Sequence, residues 1–448
     1  MEIKRKLFYI ERMLFLNGNQ SVDPVSLIIH GAIKGNLPEE RVRLALEKMQ
    51  KKHPALRARI TKGKYIHYED TNYPPIPLRI VERVSDDTWK TEKEKFIAEP
   101  FVFEKGQFVR VLWVRSEEVS EFVLFGLHVI IDGKSLYQLM IEFYIFINEP
   151  DKEVKPYQPI LSMKELLPDV TLSWKEKVIG NVYTEFMRWQ LLFSAWNKKI
   201  QRHQRYILPF VLDNEMTETL KKLVEKNKVS AGSITCILAA KLFKEHFHPE
   251  NPECNIYLTV DLRRYTPSLK KDMLWGFAPA VRLIFQVPDH ADVWEIARSF
   301  EKLVVDRALR DQKATNQPII RTLRRSITRG IVFSEYFNRI INLVVKRNLT
   351  VSEGQDFNFI NLGLFPTPLK NPEFEIISSL SPPEIHLPWF NSTFFGVGSG
   401  RNMNLEFIFA SNESFIPREK MEAIRTEFEQ SVKELIKEEI VEKEDNSI

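Results

Sequence analysis

The sequence predicts an α/β protein with mixed sheets and helices that is divided near its middle. Over residues 1–150, segments with strand periodicity alternate with segments of helix periodicity, and helices follow strands. The proline-rich stretch 150–172 is irregular and interrupts this order. Strands and helices alternate again from about Ile207 onward. Together these observations indicate two α/β parts joined by a connecting region.

The first part contains an amphipathic helix, a second helix, a buried helix and a strand hairpin. On the helix predicted at 37–50, Val42, Leu46 and Met49 share one face. A second helix, at 88–100, stops at Pro100. The other predicted elements are a short strand that ends near Ile60, strands at 64–70, 108–116 and 121–131, and an apolar, buried helix at 135–148. The two longer strands are joined by residues 116–120, which predict a hairpin.

The second part begins with a basic, aromatic helical segment and continues with alternating elements. A buried helix at 230–247 has two candidate N-caps, Ser230 and Ser233. The remaining predictions are a helical segment at 174–206, strands at 255–265, 357–365 and 404–410, and helices at 292–309 and 418–439. The pattern of this half again predicts an α/β core.

Composition and charge exclude several classes of protein. Of the 448 residues, 44% are hydrophobic and 28% charged, which excludes wholesale disorder. The net charge of +4 is too balanced for a dedicated nucleic-acid binder. Cys236 and Cys254 cannot form a disulfide framework or a CxxC metal site. No apolar run reaches membrane-spanning length, and the N-terminus makes a poor signal peptide. We expect a cytoplasmic protein, soluble or peripheral to a membrane.

The stretch from Phe122 to Ser135 carries the most informative pattern. An apolar strand delivers His128 at or near its C-terminal end, and Asp132 and Gly133 follow at a turn before a helix. Ligands meet α/β folds at strand ends, and histidine is the best general base near neutral pH. The structural alternative is equally open from these residues: Asp132 as a helix cap, Gly133 as a turn residue and His128 as a buried histidine.

The pattern His128-Val-Ile-Ile-Asp132-Gly133 is an HxxxDG motif, and further stretches accompany it in order. Through them the sequence resembles the acyltransferase superfamily of condensation domains, wax ester synthases, polyketide-associated acyltransferases, alcohol acetyltransferases, BAHD enzymes and chloramphenicol acetyltransferase. Leu127 stands where condensation domains usually carry a first histidine. The accompanying stretches are 37–60 with its "RHPxLR"-like turn, 99–114, 228–242, TVDLRRY at 259–265 and INLGLF at 360–365.

The resemblance implies two chloramphenicol-acetyltransferase-like subdomains in a V, with an active-site tunnel at their interface. The subdomains would span 1–165 and 207–448, with a helical linker at 166–206. His128 would take a proton from a hydroxyl or amine that attacks an acyl thioester, without an acyl-enzyme. Asp132 and Gly133 would be structural, with Arg263 as the partner of Asp132 and Arg264 as the competing choice. Candidates for oxyanion or substrate contacts are Ser135 and the 391–400 loop, Asn391 and Ser392 in particular.

The same resemblance implies the co-substrates. No cofactor would be bound permanently; coenzyme A or a phosphopantetheine arm would bring the acyl thioester, and an acyl carrier protein is a candidate partner. No metal is expected, because HExxH, Walker A and EF-hand spacings are missing and His246 and His248 read as solvent-facing. Two alternatives stay open: a catalytically idle binding or scaffold protein, and a trans-acting enzyme that forms amides.

Two stretches are locally basic and rich in aromatic or aliphatic residues. Residues 171–206 hold seven Lys or Arg, two Glu and three Trp, and residues 321–347 hold seven Lys or Arg and one Glu. They can be solvated helix faces with snorkelling side chains. Alternatively they contact an acidic carrier protein, coenzyme A phosphates or a membrane surface, and the aromatic interleaving suits the membrane best.

Overall fold

The protein was analysed as a computed structural model, in which the helices largely follow the predicted periodicity. The described residues are 3–20, 26–99, 101–193, 205–251, 253–264, 266–276, 279–288, 291–309, 327–346, 357–363, 373–378, 384–386, 394–399, 404–413 and 416–445. Their α-helices are α1 (Tyr9–Gln20), α2 (Glu39–Lys52), α3 (Thr88–Ala98), α4 (Gly133–Asn148), α5 (Met163–Leu166), α6 (Trp174–Phe193), α7 (Asn214–Lys226), α8 (Ala231–Phe247), α9 (Val293–Leu309), α10 (Ile327–Ser334), α11 (Ile341–Lys346) and α12 (Arg418–Asp445). Three short 3₁₀ helices span Pro54–Arg57, Leu262–Arg264 and Glu335–Arg339.

The strands form two six-stranded mixed sheets and one small sheet. They are β1 (Ile3–Lys6), β2 (Ser26–Lys34), β3 (Ala58–Thr61), β4 (Tyr65–Tyr68), β5 (Leu78–Glu82), β6 (Val109–Arg115), β7 (Val119–Leu127), β8 (Arg205–Val211), β9 (Glu253–Thr259), β10 (Ala280–Gln286), β11 (Phe357–Gly363), β12 (Ile376–Ser378), β13 (Glu384–His386), β14 (Phe394–Ser399) and β15 (Leu405–Asn412). The order is β12-β2-β7-β6-β5 in one large sheet, with β13 also on β2, and β10-β9-β11-β14-β15-β8 in the other. Strands β1, β4 and β3 form the small sheet.

Strand β7 lies between β2 and β6 and is covered on both faces. The residues on one face, Phe122 and Leu124, pack in the same cluster as α2 and α4. The residues on the other face, Val123 and Phe125, pack with Phe96 of α3. Because both faces are buried, the strand reads as a continuous apolar run rather than an alternating one. The predicted hairpin of β6 and β7 is confirmed, with Val109 opposite Gly126.

The second large sheet builds its own core around phenylalanine. Rings of Phe357, Phe395, Phe407 and Phe409 pack from the sheet toward the helices, and Phe428 of α12 lies 5.1 Å from Phe395. Helix α8 begins after Ser230, whose hydroxyl accepts a hydrogen bond from the Ser233 amide at 3.1 Å. The N-cap is therefore Ser230. The predicted α/β class with mixed sheets and helices is confirmed.

The two large sheets have separate apolar cores, but the chain crosses between them. Strands β12 and β13 lie beyond residue 207 in sequence, yet both pair antiparallel with β2 of the first sheet. The proposed subdomain boundaries at 165 and 207 stay a prediction, and these two strands cross them. The predicted 166–206 linker begins at the last residue of α5 and contains helix α6.

Candidate functional site

The candidate site lies where β7 ends and α4 begins. Strand β7 stops at Leu127, so His128 is the first residue beyond it. The amides of Ile130 and Ile131 donate to the Leu127 carbonyl at 3.2 and 3.3 Å, which closes a tight turn. Asp132 then caps α4, its carboxylate accepting from the Ser135 amide at 2.7 Å. The sequence therefore places the histidine and the aspartate at opposite ends of one short turn.

The half-buried His128 ring is oriented by a backbone carbonyl of the second half of the chain. Its Nδ1 lies 3.2 Å from the carbonyl oxygen of Gly276. A carbonyl oxygen can only accept, so this contact assigns the hydrogen to Nδ1 and the lone pair to Nε2. Among the described residues, Nε2 has no hydrogen-bond partner. The ring is thus in the tautomer that a general base needs.

Asp132 pairs with Arg263. The guanidinium donates to both carboxylate oxygens, at 2.9 and 3.1 Å, and both side chains are almost completely buried. Burial by itself would lower the pKa of Arg263, but the carboxylates of Asp132 and Asp261 outweigh it and the pKa is raised. Arg264, the competing choice in the sequence, is exposed. The ion pair joins the start of α4 to residues 261–264.

All five N–H groups of Arg263 have acceptors, so this buried charge is fully satisfied. Besides Asp132, the guanidinium donates to the Met273 carbonyl at 2.8 Å, to Asp261 at 3.0 Å and to the Ser135 hydroxyl at 2.6 Å. Lys134 extends the network, with its Nζ 2.7 Å from Asp261 Oδ2. This buried network of ion pairs and hydrogen bonds connects two segments that are distant in sequence.

Ser135 belongs to this network of hydrogen bonds, and its role as an oxyanion contact stays a prediction. Its hydroxyl donates to the Trp275 carbonyl at 3.0 Å and accepts from the Trp275 amide at 2.9 Å. It also accepts from Arg263, so its one hydrogen is already used and the residue is buried. Gly133 is the first residue of α4 and, unlike three other described glycines, has no positive φ. The predicted contacts Asn391 and Ser392 lie outside the described residues.

The segment 273–276 completes the site, and the sequence patterns did not single it out. Trp275 accepts from the Asp132 amide at 2.7 Å, and Gly276 accepts from His128. A Cβ on Gly276 would overlap the Val129 carbonyl oxygen, so the two backbones touch. An irregular segment has no periodicity to reveal such contacts. The one available signal was a glycine inside an otherwise apolar Met-Leu-Trp-Gly-Phe run.

A second, largely buried ionic cluster connects α2, α4 and Asp272, and it was also not predicted. Lys52 Nζ lies 2.6 Å from both Glu142 Oε1 and Asp272 Oδ2, and His53 Nε2 lies 2.7 Å from Glu142 Oε2. The Tyr157 hydroxyl donates to Asp272 at 2.6 Å. The cluster therefore fastens the 261–276 segment to α2 and α4. Two surface clefts of the described part, one near Arg57 and one near Lys62, do not include His128.

Comparison with known proteins identifies the architecture. Residues 11–161 match the model of the Condensation domain family, and no curated protein matches the sequence. The epimerization domain from the third module of tyrocidine synthetase B is 14% identical with a TM-score of 0.62, over 98% of this chain and 97% of that chain. The condensation domain from the Monacolin K polyketide synthase MokA is 10% identical with a TM-score of 0.64, over 96% and 97%. The chain has the condensation-domain fold.

Further structures agree with this condensation-domain fold. Polyketide synthase associated protein 5 from Mycobacterium tuberculosis is 13% identical with a TM-score of 0.59, over 95% of this chain and 97% of that chain. The cyclization-docking bidomain EpoB from Sorangium cellulosum is 12% identical with a TM-score of 0.62, over 97% and 85%. The predicted resemblance, and with it the two chloramphenicol-acetyltransferase-like subdomains, is confirmed. At these identities the likeness concerns the fold.

Proposed function

We propose that the protein transfers an acyl group from a thioester to a hydroxyl or amine acceptor. Coenzyme A or the phosphopantetheine arm of a carrier protein brings the acyl group, and both substrates reach His128 through a tunnel between the subdomains. The tautomer of His128 carries this proposal, because the contact from Nδ1 to the Gly276 carbonyl leaves the Nε2 lone pair to accept a proton. No permanently bound cofactor takes part.

The chemistry needs one base and a defined geometry. His128 Nε2 takes the proton of the acceptor O–H or N–H while that oxygen or nitrogen attacks the thioester carbonyl carbon. The tetrahedral intermediate collapses with cleavage of the C–S bond, and the sulfur leaves as a thiol with the proton that the imidazolium returns. Thioesters are already activated, so proximity and general-base catalysis supply much of the acceleration.

Asp132 and Arg263 act as positioning residues in this proposal. Their ion pair fixes the start of α4 against residues 261–276, which include the carbonyl that orients His128. They hold the ring without touching the substrates, since both side chains are buried. Lys134 and Asp261 form a neighbouring ion pair in the same network, and their side chains are less buried.

The decisive experiment is His128→Ala, assayed for thiol release from a panel of acyl-CoA and acyl-carrier-protein donors with alcohol and amine acceptors. We expect a loss of about 10²-fold or more, the range of general-base contributions. His246→Ala is the matched control, because His246 lies in α8 and its ring contacts Glu427 at 2.8 Å in an exposed pair. The control should keep full activity, and both variants should unfold cooperatively.

The outcomes separate the proposal from its alternatives. Full activity of His128→Ala would overturn the proposal. No thiol release by the wild type with any donor would favour the idle binding protein. Transfer only between two carrier-bound substrates, with amide as the product, would favour a condensation enzyme that works in trans. We place the reaction in the cytoplasm or at a membrane surface.

A further inference from the structure

We propose that the outward face of helix α6 docks the protein onto an anionic lipid bilayer, with the helix lying flat in the interface. The face consists of Trp174, Val178, Val182, Phe186, Trp189, Leu192 and Phe193, and we call it the α6 apolar face. From Trp174 to Leu192 its residues follow one another at intervals of three or four, and Phe193 lies four residues after Trp189, so they form one stripe along the whole helix. This site is separate from the proposed acyl transfer.

The α6 apolar face is unusual for the part of the chain that the structure describes. Twelve large hydrophobic side chains there are exposed, and seven of them lie on this one helix. They include every exposed Trp and Phe of the set: Trp174 at 71%, Phe186 at 60%, Trp189 at 58% and Phe193 at 78%. Scattered surface hydrophobics are normal, but a continuous stripe marks an interaction site.

The opposite face of α6 is fixed to the protein, which determines how the helix can bind. Gly180, Thr184 and Leu191 are buried, and a Cβ on Gly180 would contact Tyr336 and Phe333. Glu176 pairs with Arg329 of α10 at 2.8 Å, and this hydrogen bond lowers the pKa of Glu176 to about 2. The inner side of the helix is therefore held against the protein, and only the α6 apolar face is available to insert into a membrane.

Charge and side-chain type favour a bilayer over a protein partner. Lys175 and Lys177 are exposed on the same helix, and the Lys175 ammonium lies 5.7 Å from the Trp174 ring. Arg188 is exposed too and lies 3.5 Å from Glu185. The sequence that follows, 194–205, contains four Lys or Arg and no acidic residue. Trp and Phe side chains with neighbouring cations suit the headgroup region of a bilayer. The aromatic rings insert at the boundary of the acyl chains, and the cations interact with anionic lipid headgroups. No helix among the described residues is long and apolar enough to cross a membrane.

The test is co-sedimentation of the full chain with sucrose-loaded vesicles, either of phosphatidylcholine alone or with one quarter phosphatidylserine. We expect binding to both, stronger with phosphatidylserine, and a blue shift of tryptophan fluorescence. Phe186→Glu with Trp189→Glu should weaken the partition coefficient about tenfold or more, because charge then replaces the centre of the stripe. High salt should remove the gain from phosphatidylserine and leave the binding to phosphatidylcholine.

A matched control makes the result specific to α6. Val84→Glu with Val102→Glu introduces the same charges at two exposed valines on the N-terminal half, and it should bind vesicles like the wild type. Equal binding by the α6 variant and the wild type would overturn the proposal, as would a wild type that ignores both vesicles. A wild-type dimer in sedimentation velocity that the α6 variant converts to monomer, without vesicle binding, would also overturn it and assign the face to a second copy.

Discussion

At the scale of single residues, the site depends on a backbone carbonyl where many catalytic histidines use a carboxylate. The nearest candidate carboxylate, Asp132, is committed to Arg263, so it cannot orient the ring. The Gly276 carbonyl takes that role at 3.2 Å from Nδ1. The carbonyl is a neutral acceptor, so it fixes the tautomer of His128. Unlike a carboxylate, it brings no negative charge that would stabilise the protonated ring. The proposed role of His128 as a base therefore depends on the position of this carbonyl.

Gly276→Ala should damage the site through the backbone. The new methyl group would overlap the Val129 carbonyl oxygen, which must move away and carry the 127–131 turn with it. We expect the free energy of unfolding to fall by about 1–3 kcal/mol, which is typical of overpacking. We also expect kcat to fall in the protein that remains folded. Steady-state kinetics and urea unfolding measure the two effects.

Gly330→Ala is the matched control for this substitution. Gly330 lies in α10, and a Cβ there meets no atom within 4 Å. Alanine should leave activity unchanged and stabilise the helix by about 0.5–1 kcal/mol. Wild-type kinetics in Gly276→Ala would contradict the role assigned to the 273–276 segment.

The residues of the site differ in how far the sequence could predict them. Resemblance pointed to the pairing of Asp132 with Arg263, and burial separates Arg263 from the exposed Arg264. It also pointed to an oxyanion role for Ser135, which stays a prediction, and it did not point to the hydrogen bonds of that hydroxyl with Trp275 and Arg263. Such contacts come from segments about 140 residues apart, and local patterns contain no information about them.

At the scale of elements, the second ionic cluster joins the end of α2, the middle of α4 and the 261–276 segment. Glu142 is central to it, because it contacts both Lys52 and His53. Burial would raise the pKa of Glu142, but the hydrogen bonds and charges of His53 and Lys52 outweigh it and the pKa is lowered. The pKa of Asp272 is also lowered, because its hydrogen bonds with Lys52 and Tyr157 outweigh the effect of burial.

The cluster predicts a pH-dependent cost for Glu142→Gln. A carboxyl whose pKa is lowered on folding stabilises the fold above its unfolded pKa of about 4.3, and this stability is lost as the pH falls through the folded value. The variant should therefore be less stable than the wild type by about 3 kcal/mol at neutral pH. The difference should shrink toward zero in strong acid, where the wild-type carboxyl is protonated too.

Urea unfolding of both proteins at neutral pH, near pH 5 and near pH 3 measures this difference. Glu149→Gln, at the exposed C-terminal end of the same helix, is the control and should show a small effect at every pH. A difference between Glu142→Gln and the wild type that stays constant with pH would show that the carboxylate charge does not stabilise the joint.

Several elements with strong periodicity were predicted, whereas the regular elements α7 and β2 and the elements that depend on tertiary context were not. Helix α2 buries Val42, Leu46 and Met49 as its spacing indicates. Strand β7 ends at Leu127, earlier than the apolar run to Ile131 suggests, because the chain turns to cap α4. The short strands β12 and β13 were not predicted, since three residues provide too little alternation to detect.

At the scale of the whole molecule, two large apolar cores are joined by buried polar contacts, by a third apolar cluster and by strand pairing. Each large sheet has its own cluster of buried side chains. The segment 261–276 leaves the second sheet after β9 and is tied to α4 by Arg263 and to α2 by Asp272. The relation between the halves, and thus the surroundings of His128, depends on these buried ionic contacts together with a buried apolar cluster that joins Phe8 and Leu166 to Leu262 and Trp275.

The Asp132–Arg263 pair should therefore show the energetics of a buried ion pair between two halves. Asp132→Leu alone leaves a buried guanidinium with one carboxylate and should cost about 3–5 kcal/mol, and Arg263→Met alone should cost a similar amount. Combining them removes both charges together, so the double variant should be more stable than either single variant. Urea unfolding of the four proteins gives the coupling energy. Additive losses would mean that the two side chains stabilise the halves separately, and the joint between the subdomains would then have to lie elsewhere.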